Sequence, residues 1–255
     1  MPRVRLLLHQ TCYELRAFLR NKQSRTFTLV LPPVLLVVFV GVFGSHAVGP
    51  HHAASSTYYV PGLSALAIVA ASFVNLVVSI TALREAGVLE RRRATPLPAW
   101  VLIGARTVTS ILVSSASLAV MLTVGRVAYG IRPAASELPA VATTVVAGSA
   151  ALCAVAYAVS AHIRSADSAQ PIVQAVVVPL YLVSGVFAPG LDLPRWLHDV
   201  AEAFPVEHLA HALRQAYEPG GGSPFDLSDL AVLALWGAGG LALALRRFTW
   251  TPTTT

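Results

Sequence analysis

His198, Asp199 and Glu202 in "RWLHDVAE", then Glu207, His208 and His211 in "PVEHLAHALR", recur three to four positions apart. Two imidazoles at that spacing on one helix can share a metal ion. The zinc-protease pattern, however, puts its glutamate after the first histidine and its two imidazoles four positions apart. Here Glu207 precedes His208 and the step is one residue short. These side chains therefore read as structural or interfacial, and no metal ligand is assigned; the same holds for His46, His51 and His52. Cys12 and Cys153 read as unpaired small hydrophobes without a disulfide framework.

A second chemistry-bearing stretch is "LREAGVLERRRATPLPAW", in which Arg84, Glu85, Glu90, Arg91, Arg92 and Arg93 crowd into a chain that is only 12% charged. Arginines beside a membrane fix topology, which accounts for Arg91 to Arg93. Glu85, Gly87 and Glu90 need another reason, since acids contribute little to orientation and would sit beside an anionic leaflet. A short helix ended by Pro96 and Pro98 makes residues 84–98 a handle for another subunit.

Polar side chains inside apolar runs form a third group. Thr107, Ser110, Ser114 and Ser117 step by three and four residues, and Ser64, Ala71, Asn75 and Ser79 keep a similar registration in steps of seven, four and four; Gln174 stands in another run. Such faces let transmembrane helices pack closely and hydrogen-bond, or border a substrate route. No run carries paired carboxylates, a nucleophile with its base, or metal ligands, so intramembrane catalysis is not expected. Nor is ATP binding by a P-loop, because the one lysine, Lys22, lies in "LRNKQSR" without a glycine-rich turn.

The elements that must hold these residues follow from hydropathy. The chain has 255 residues, 55% hydrophobic, and a mean hydropathy of +0.66, too apolar for an ordinary soluble domain. About 20 apolar residues cross a bilayer core. Six runs reach about that length: 27–44, 59–83, 100–124, 138–161, 171–187 and 227–245. Residues 3–22 mix apolar and cationic side chains and read as a helix lying in the membrane interface. The charged N-terminal region holds Glu14 and does not read as a signal peptide, so an uncleaved first span is expected.

Six spans return the chain to its starting side. With that side cytoplasmic, fourteen of the eighteen basic residues lie inside and eight of the twelve acids outside, as the positive-inside rule requires. The net charge of +6 is thus a topological signal; its bursts lack the continuous basic stripe of a nucleic-acid interface. Between the last two spans, residues 190–217 are neither apolar enough to cross nor polar enough for disorder. Apolar positions recur at helical spacing before and after Pro205, which predicts two short amphipathic helices at the outer surface or dipping in as a re-entrant hairpin.

The fold class expected is therefore an all-α polytopic membrane domain. Its order of parts resembles the permease subunits of bacterial ABC-2 type exporters, in the daunorubicin-resistance-like drug or lipid group. "LREAGVLERRRATPLPAWVLIGAR" is similar to that family's loop after the second span. "SGVFAPGLDLPRWLHDVAEAFPVEHLAHALR" is similar to its exit from the fifth, with Pro189, Pro194, Trp196, Pro205 and Arg214 in the family's order. Phe204 departs from it, standing where the family commonly has Asn. The resemblance implies a second permease, identical or related, and two separately encoded ATPase subunits that bind ATP and magnesium and dock through the charged loop.

Overall fold

The computed structural model describes residues 3–43, 47–48, 53–93, 98–131, 134–184, 186, 194–217 and 223–247. Pro189, Pro96 and Phe187 lie outside them. Apart from a two-residue antiparallel ladder, β1 (Ala47–Val48) with β2 (Ala53–Ala54), everything regular is helix. Among the described residues, six helices are long and apolar enough to cross a membrane: Lys22–Val42, Tyr58–Glu85, Trp100–Tyr129, Leu138–Ser160, Ala166–Val183 and Leu227–Arg246.

Helix α1 (Arg3–Arg20) stops at Asn21, whose side-chain carbonyl accepts from the Ser24 amide and so starts α2 (Lys22–Arg25). The chain continues through a π-helical turn, Thr26–Val30, into α3 (Leu31–Phe43). The first span thus begins at Lys22, ahead of the expected Phe27. The second span is α4 (Ser55–Val69), a π-helical turn at Ala70–Val74, and α5 (Asn75–Glu85). It is 61% buried, against 17%, 22% and 22% for the first, fifth and sixth spans, and is therefore the hub.

Gly87, at φ +65°, ends α5. Among the described residues of the expected 84–98 segment, Val88–Arg93 forms a separate helix, α6, while Arg84 and Glu85 belong to the second span. Helix α7 (Ala99–Tyr129) outruns its expected end at Val124 until Gly130 turns left-handed. Helix α8 (Leu138–Ser160) matches expectation within a residue. Helix α9 (Ala166–Val183) starts five residues before the expected Pro171, because Ser165 caps it and Asp167 suits its first turn.

Two amphipathic helices follow, α10 (Arg195–Glu202) and α11 (Pro205–Tyr217), broken where Pro205 was expected to break them. The last span is α12 (Leu227–Arg247). It packs along α8, α1 packs on α7, and α11 packs against α4, α8 and α12. The α8–α12 seam is tight: a Cβ added at Gly240 would come within 2.7 Å of the Val155 backbone nitrogen.

Candidate functional site

At the face where α5, α8 and α9 meet, Arg84 and Glu85 do opposite jobs. Arg84 is 1% exposed. Its guanidinium donates to the Ser160 carbonyl at 2.9 Å and to the Ile163 carbonyl, at the end of α8. Glu85 accepts from the Ala166 amide, at the start of α9. A cation thus meets a helix C-terminus and an anion a helix N-terminus, each complementing the local dipole. Two adjacent residues of the second span clamp the turn between the fourth and fifth.

A second junction gathers on Glu14 of α1. Arg92 of α6 reaches its Oε1 at 2.9 Å, and Arg106 of α7 reaches its Oε2 at 3.3 Å. Arg92 also lies over the Tyr13 ring, 5.8 Å from the centroid. Arg106 goes on to donate to Ser79 Oγ at 3.2 Å, and Ser24 Oγ donates to Asn75 Oδ1 at 2.9 Å. These groups border a cleft of about 310 Å³ between α1, the first π turn's helix and the second and third spans, with Ser110 and Thr109 on its wall.

Of the expected polar face, Asn75, Ser79 and Ser110 line this cleft. Ser114 does not: it is buried and shares a 3.1 Å hydrogen bond with Ser72. Ser117 donates to Val113 O at 2.9 Å and reaches Thr28 O at 3.4 Å, sealing the third span to the first. Thr107 bonds back to Ile103 O within its own helix, and Gln174 is half-buried on α9, apart from the cleft. Along this helix Ser114 and Ser117 join neighbouring spans, while Ser110 lines the cleft.

In α6, Arg91 turns back to the Ala86 carbonyl at 3.1 Å and closes the end of α5. Glu90 is exposed and makes no hydrogen bond among the described residues. Gly87 makes the bend that separates α5 from α6.

At the opposite end of the bundle, Arg214 of α11 donates to Tyr58 Oη at 2.8 Å and Ser184 O at 3.4 Å, and lies 5.3 Å from the Tyr58 ring centroid. Glu207 stands 3.9 Å away. Pro194 leads into α10, Trp196 is 65% exposed, and Pro205 is buried at the first position of α11. Phe204, the departure from the family pattern, stacks on Trp236 at 6.0 Å, while Trp236 Nε1 donates to Ala203 O at 3.1 Å.

His208 and His211 converge on Asp229, in the first turn of α12. His208 Nδ1 lies 2.7 Å from Asp229 Oδ1, and His211 Nδ1 lies 2.7 Å from Oδ2. Asp226 Oδ2 is 3.7 Å from His211, while its Oδ1 caps α12 by accepting from the Ser228 and Asp229 amides. Hydrogen bonding to Asp229 leads the causes that raise the His211 pKa, against burial; Arg214 opposes and Asp226 assists. Asp226 is held below its ordinary value, chiefly by its bond from Ser228.

The spacing of His208 and His211 was visible in the sequence; their carboxylate was not. Asp229 lies 18 residues beyond His211, in a run that reads as the next span. Glu14, Arg84 and Arg106 were equally unassigned as partners, since their contacts join segments 78, 76 and 27 residues apart.

The chain's relatives fit this architecture. It is 25% identical over 160 residues to the "Probable multidrug ABC transporter permease YbhR" of Escherichia coli (strain K12), and equally to that of Escherichia coli O157:H7. The match covers 63% of this chain and 43% of each relative, so the chain spans less than half the length of the curated relatives it matches. The family model described as ABC-2 type transporter matches residues 6–217, from α1 through both junctions to the last residue of α11. The six-span all-helical chain with its charged α6 belongs to the ABC-2 type transporter family.

Proposed function

We propose that this chain is the permease subunit of an ATP-driven exporter, moving a hydrophobic or amphipathic substrate, drug-like or lipid, out across the cytoplasmic membrane. ATP and magnesium belong to a separate ATPase chain, two copies per transporter, and a second permease, identical or related, completes the path through lipid. Both termini are cytoplasmic in this reading, on the charge bias of the loops.

The observation that carries the reading is how α6 is braced. It presents an exposed Glu90 outward. Behind it, Arg92 ties to α1 and α7 through Glu14 and Arg106. Its connection to α5 leads directly into the Arg84–Glu85 clamp on the fourth and fifth spans. A push on α6 from a docked ATPase therefore has rigid partners in five of the six spans or their attached helices. The ATPase-docking set is Glu85, Gly87, Glu90, Arg91, Arg92 and Arg93, with Glu90 as its outward member and Glu85 as its transmitter.

A re-entrant position for α10 and α11 is supported by depth. Leu209 packs on Gly148, ten residues inside the fourth span, or about 15 Å along it at 1.5 Å per residue. The Ala203 corner meets Trp236, seven residues below Asp229. The cleft lined by Asn75, Ser79 and Ser110 offers an amphipathic molecule both charge and apolar wall at the proposed cytoplasmic leaflet.

The test is co-purification with the ATPase followed by nucleotide-dependent transport in vesicles. Wild-type chain should support transport, and Glu90→Lys should leave ATP hydrolysis uncoupled from it. A chain that recruits no ATPase and moves nothing with nucleotide would instead be a non-transporting assembly or immunity protein that acts by binding a partner.

A further inference from the structure

His208 has an acceptor at each ring nitrogen. Nδ1 lies 2.7 Å from Asp229 Oδ1, and Nε2 lies 2.7 Å from the backbone carbonyl of Glu202. A carbonyl never donates, so Nε2 must carry its hydrogen; a neutral imidazole then has a bare lone pair at Nδ1. A second bare lone pair, on an ionised carboxylate, cannot face it at 2.7 Å. A proton lies in that contact, whether on nitrogen or on oxygen.

Distance separates a proton from a metal ion as the bridging group. Two ligand atoms each about 2.05 Å from a tetrahedral ion stand about 3.3 Å apart. The two His–Asp contacts are both 2.7 Å, too close for shared ligation and right for a charge-assisted hydrogen bond. The Asp229 side chain is only 7% exposed, so its charge needs the opposite charge beside it.

We propose that His208, Asp229 and His211 form a proton-binding site on the α11–α12 seam, which holds α10 and α11 against the last span and loosens them when its proton leaves. His208 joins three elements at once: α10 through Glu202 O, α11 through its own backbone, and α12 through Asp229. Losing the proton from the Nδ1 contact forces the ring to give up either α10 or α12. The Trp236 bond to Ala203 does not titrate, so it keeps the corner seated and confines the change to the first turns of α11 and α12.

The charges facing the site are Asp229 and Asp226 from the α12 side and Glu207 and Arg214 on α11 itself, while α10 contributes the Glu202 backbone carbonyl. Tyr58 of α4 is engaged through Arg214. Helix α8 meets α11 at Leu209, and neither α8 nor α9 places a charge among the causes acting on the two imidazoles. Burial opposes a charge on His208, but bonds to Asp229 and the Glu202 carbonyl, with the fields of Asp229 and Glu207, outweigh it and raise its pKa. A raised folded value means that the bridge is complete below the ordinary histidine value of about 6.5 and is lost as pH rises through the folded one. The site is independent of the export reading, since it requires only the seam.

The experiment is histidine C2–H exchange with mass spectrometry on the full chain in nanodiscs, run beside amide exchange corrected for its intrinsic pH dependence. His208 and His211 should titrate above about 6.5, and protection of residues 205–211 should fall about tenfold or more from the acid to the alkaline side of that midpoint. Asp229→Asn should return His208 to the ordinary range or below and make protection independent of pH. A wild-type His208 midpoint at or below the ordinary value overturns the proposal without any variant. So does flat protection across that range, or protection that micromolar zinc raises and a chelator removes at constant pH.

Discussion

Replacing Arg84 with methionine removes a charge from the interior while keeping most of the stem, and the geometry sets the cost. Two charge-assisted hydrogen bonds, to Ser160 O and Ile163 O, would each be worth about 1.5–3 kcal/mol. The neutral side chain escapes the several kcal/mol of guanidinium desolvation, so the net loss is about 2–4 kcal/mol. At about 2–4 °C per kcal/mol for a chain of this size, the thermal midpoint should fall by about 4–16 °C. Arg84→Lys keeps the charge but not the fork that serves two carbonyls, and should fall between. The assay is loss of the monodisperse peak on size-exclusion chromatography after heating the detergent-purified protein. An Arg84→Met midpoint within about 1 °C of wild type would refute the clamp as a structural device, because two orphaned carbonyls at a buried helix end cannot be free of cost.

Glu85→Lys and Glu90→Lys should part company in the same assay. Glu85→Lys loses the α9 cap and should lower the midpoint, while Glu90→Lys should leave it unchanged and lower only nucleotide-dependent transport; equal stability in both would place Glu85 outside the clamp. Gly240→Ala should destabilise by about 1–3 kcal/mol through its approach to the Val155 backbone, whereas Gly239→Ala, with nothing within 4 Å, should be neutral or slightly stabilising; equal thermal midpoints would deny the α8–α12 seam. Glu14→Gln should weaken Arg92 and Arg106 together, read as faster proteolytic cleavage at α6, and an unchanged rate would separate α6 from α1. A thiol placed at His51 or Gly221 should be labelled from outside intact cells, and labelling only after permeabilisation would reverse the orientation.

Hydropathy made the six spans legible, because a run of apolar residues carries its signal in the residues themselves. Ends were less legible where a neighbour's side chain decided them. Ser165 and Asp167 start α9 ahead of Pro171, and Gly87 leaves Arg84 and Glu85 in α5, apart from α6. The amphipathic pair around Pro205 was readable, since its period breaks at the proline. The long-range partners were not. Nothing adjacent to Glu14 announces Arg92 and Arg106, and Asp229 resembles an ordinary first-turn acid until α11 folds back beside it. Even the polar face of the third span concealed its division, because Ser110 and Ser114 differ only in what the second span sets opposite them.

The π-helical turn at Ala70–Val74 sets the azimuth of everything after it in the second span. Each α-helical residue advances the helix by about 100°, and a π turn accommodates one more residue than the α-helix would. Deleting a single residue there would let an unbroken α-helix form with Asn75 through Glu85 still in phase, whereas forcing every residue present into α-helix would rotate them by about that angle. Arg84 and Glu85 would swing off the two helix ends they join, and Asn75 and Ser79 would leave the cleft together. Within the second span the π turn, by taking up one extra residue, keeps these four side chains in phase with their partners.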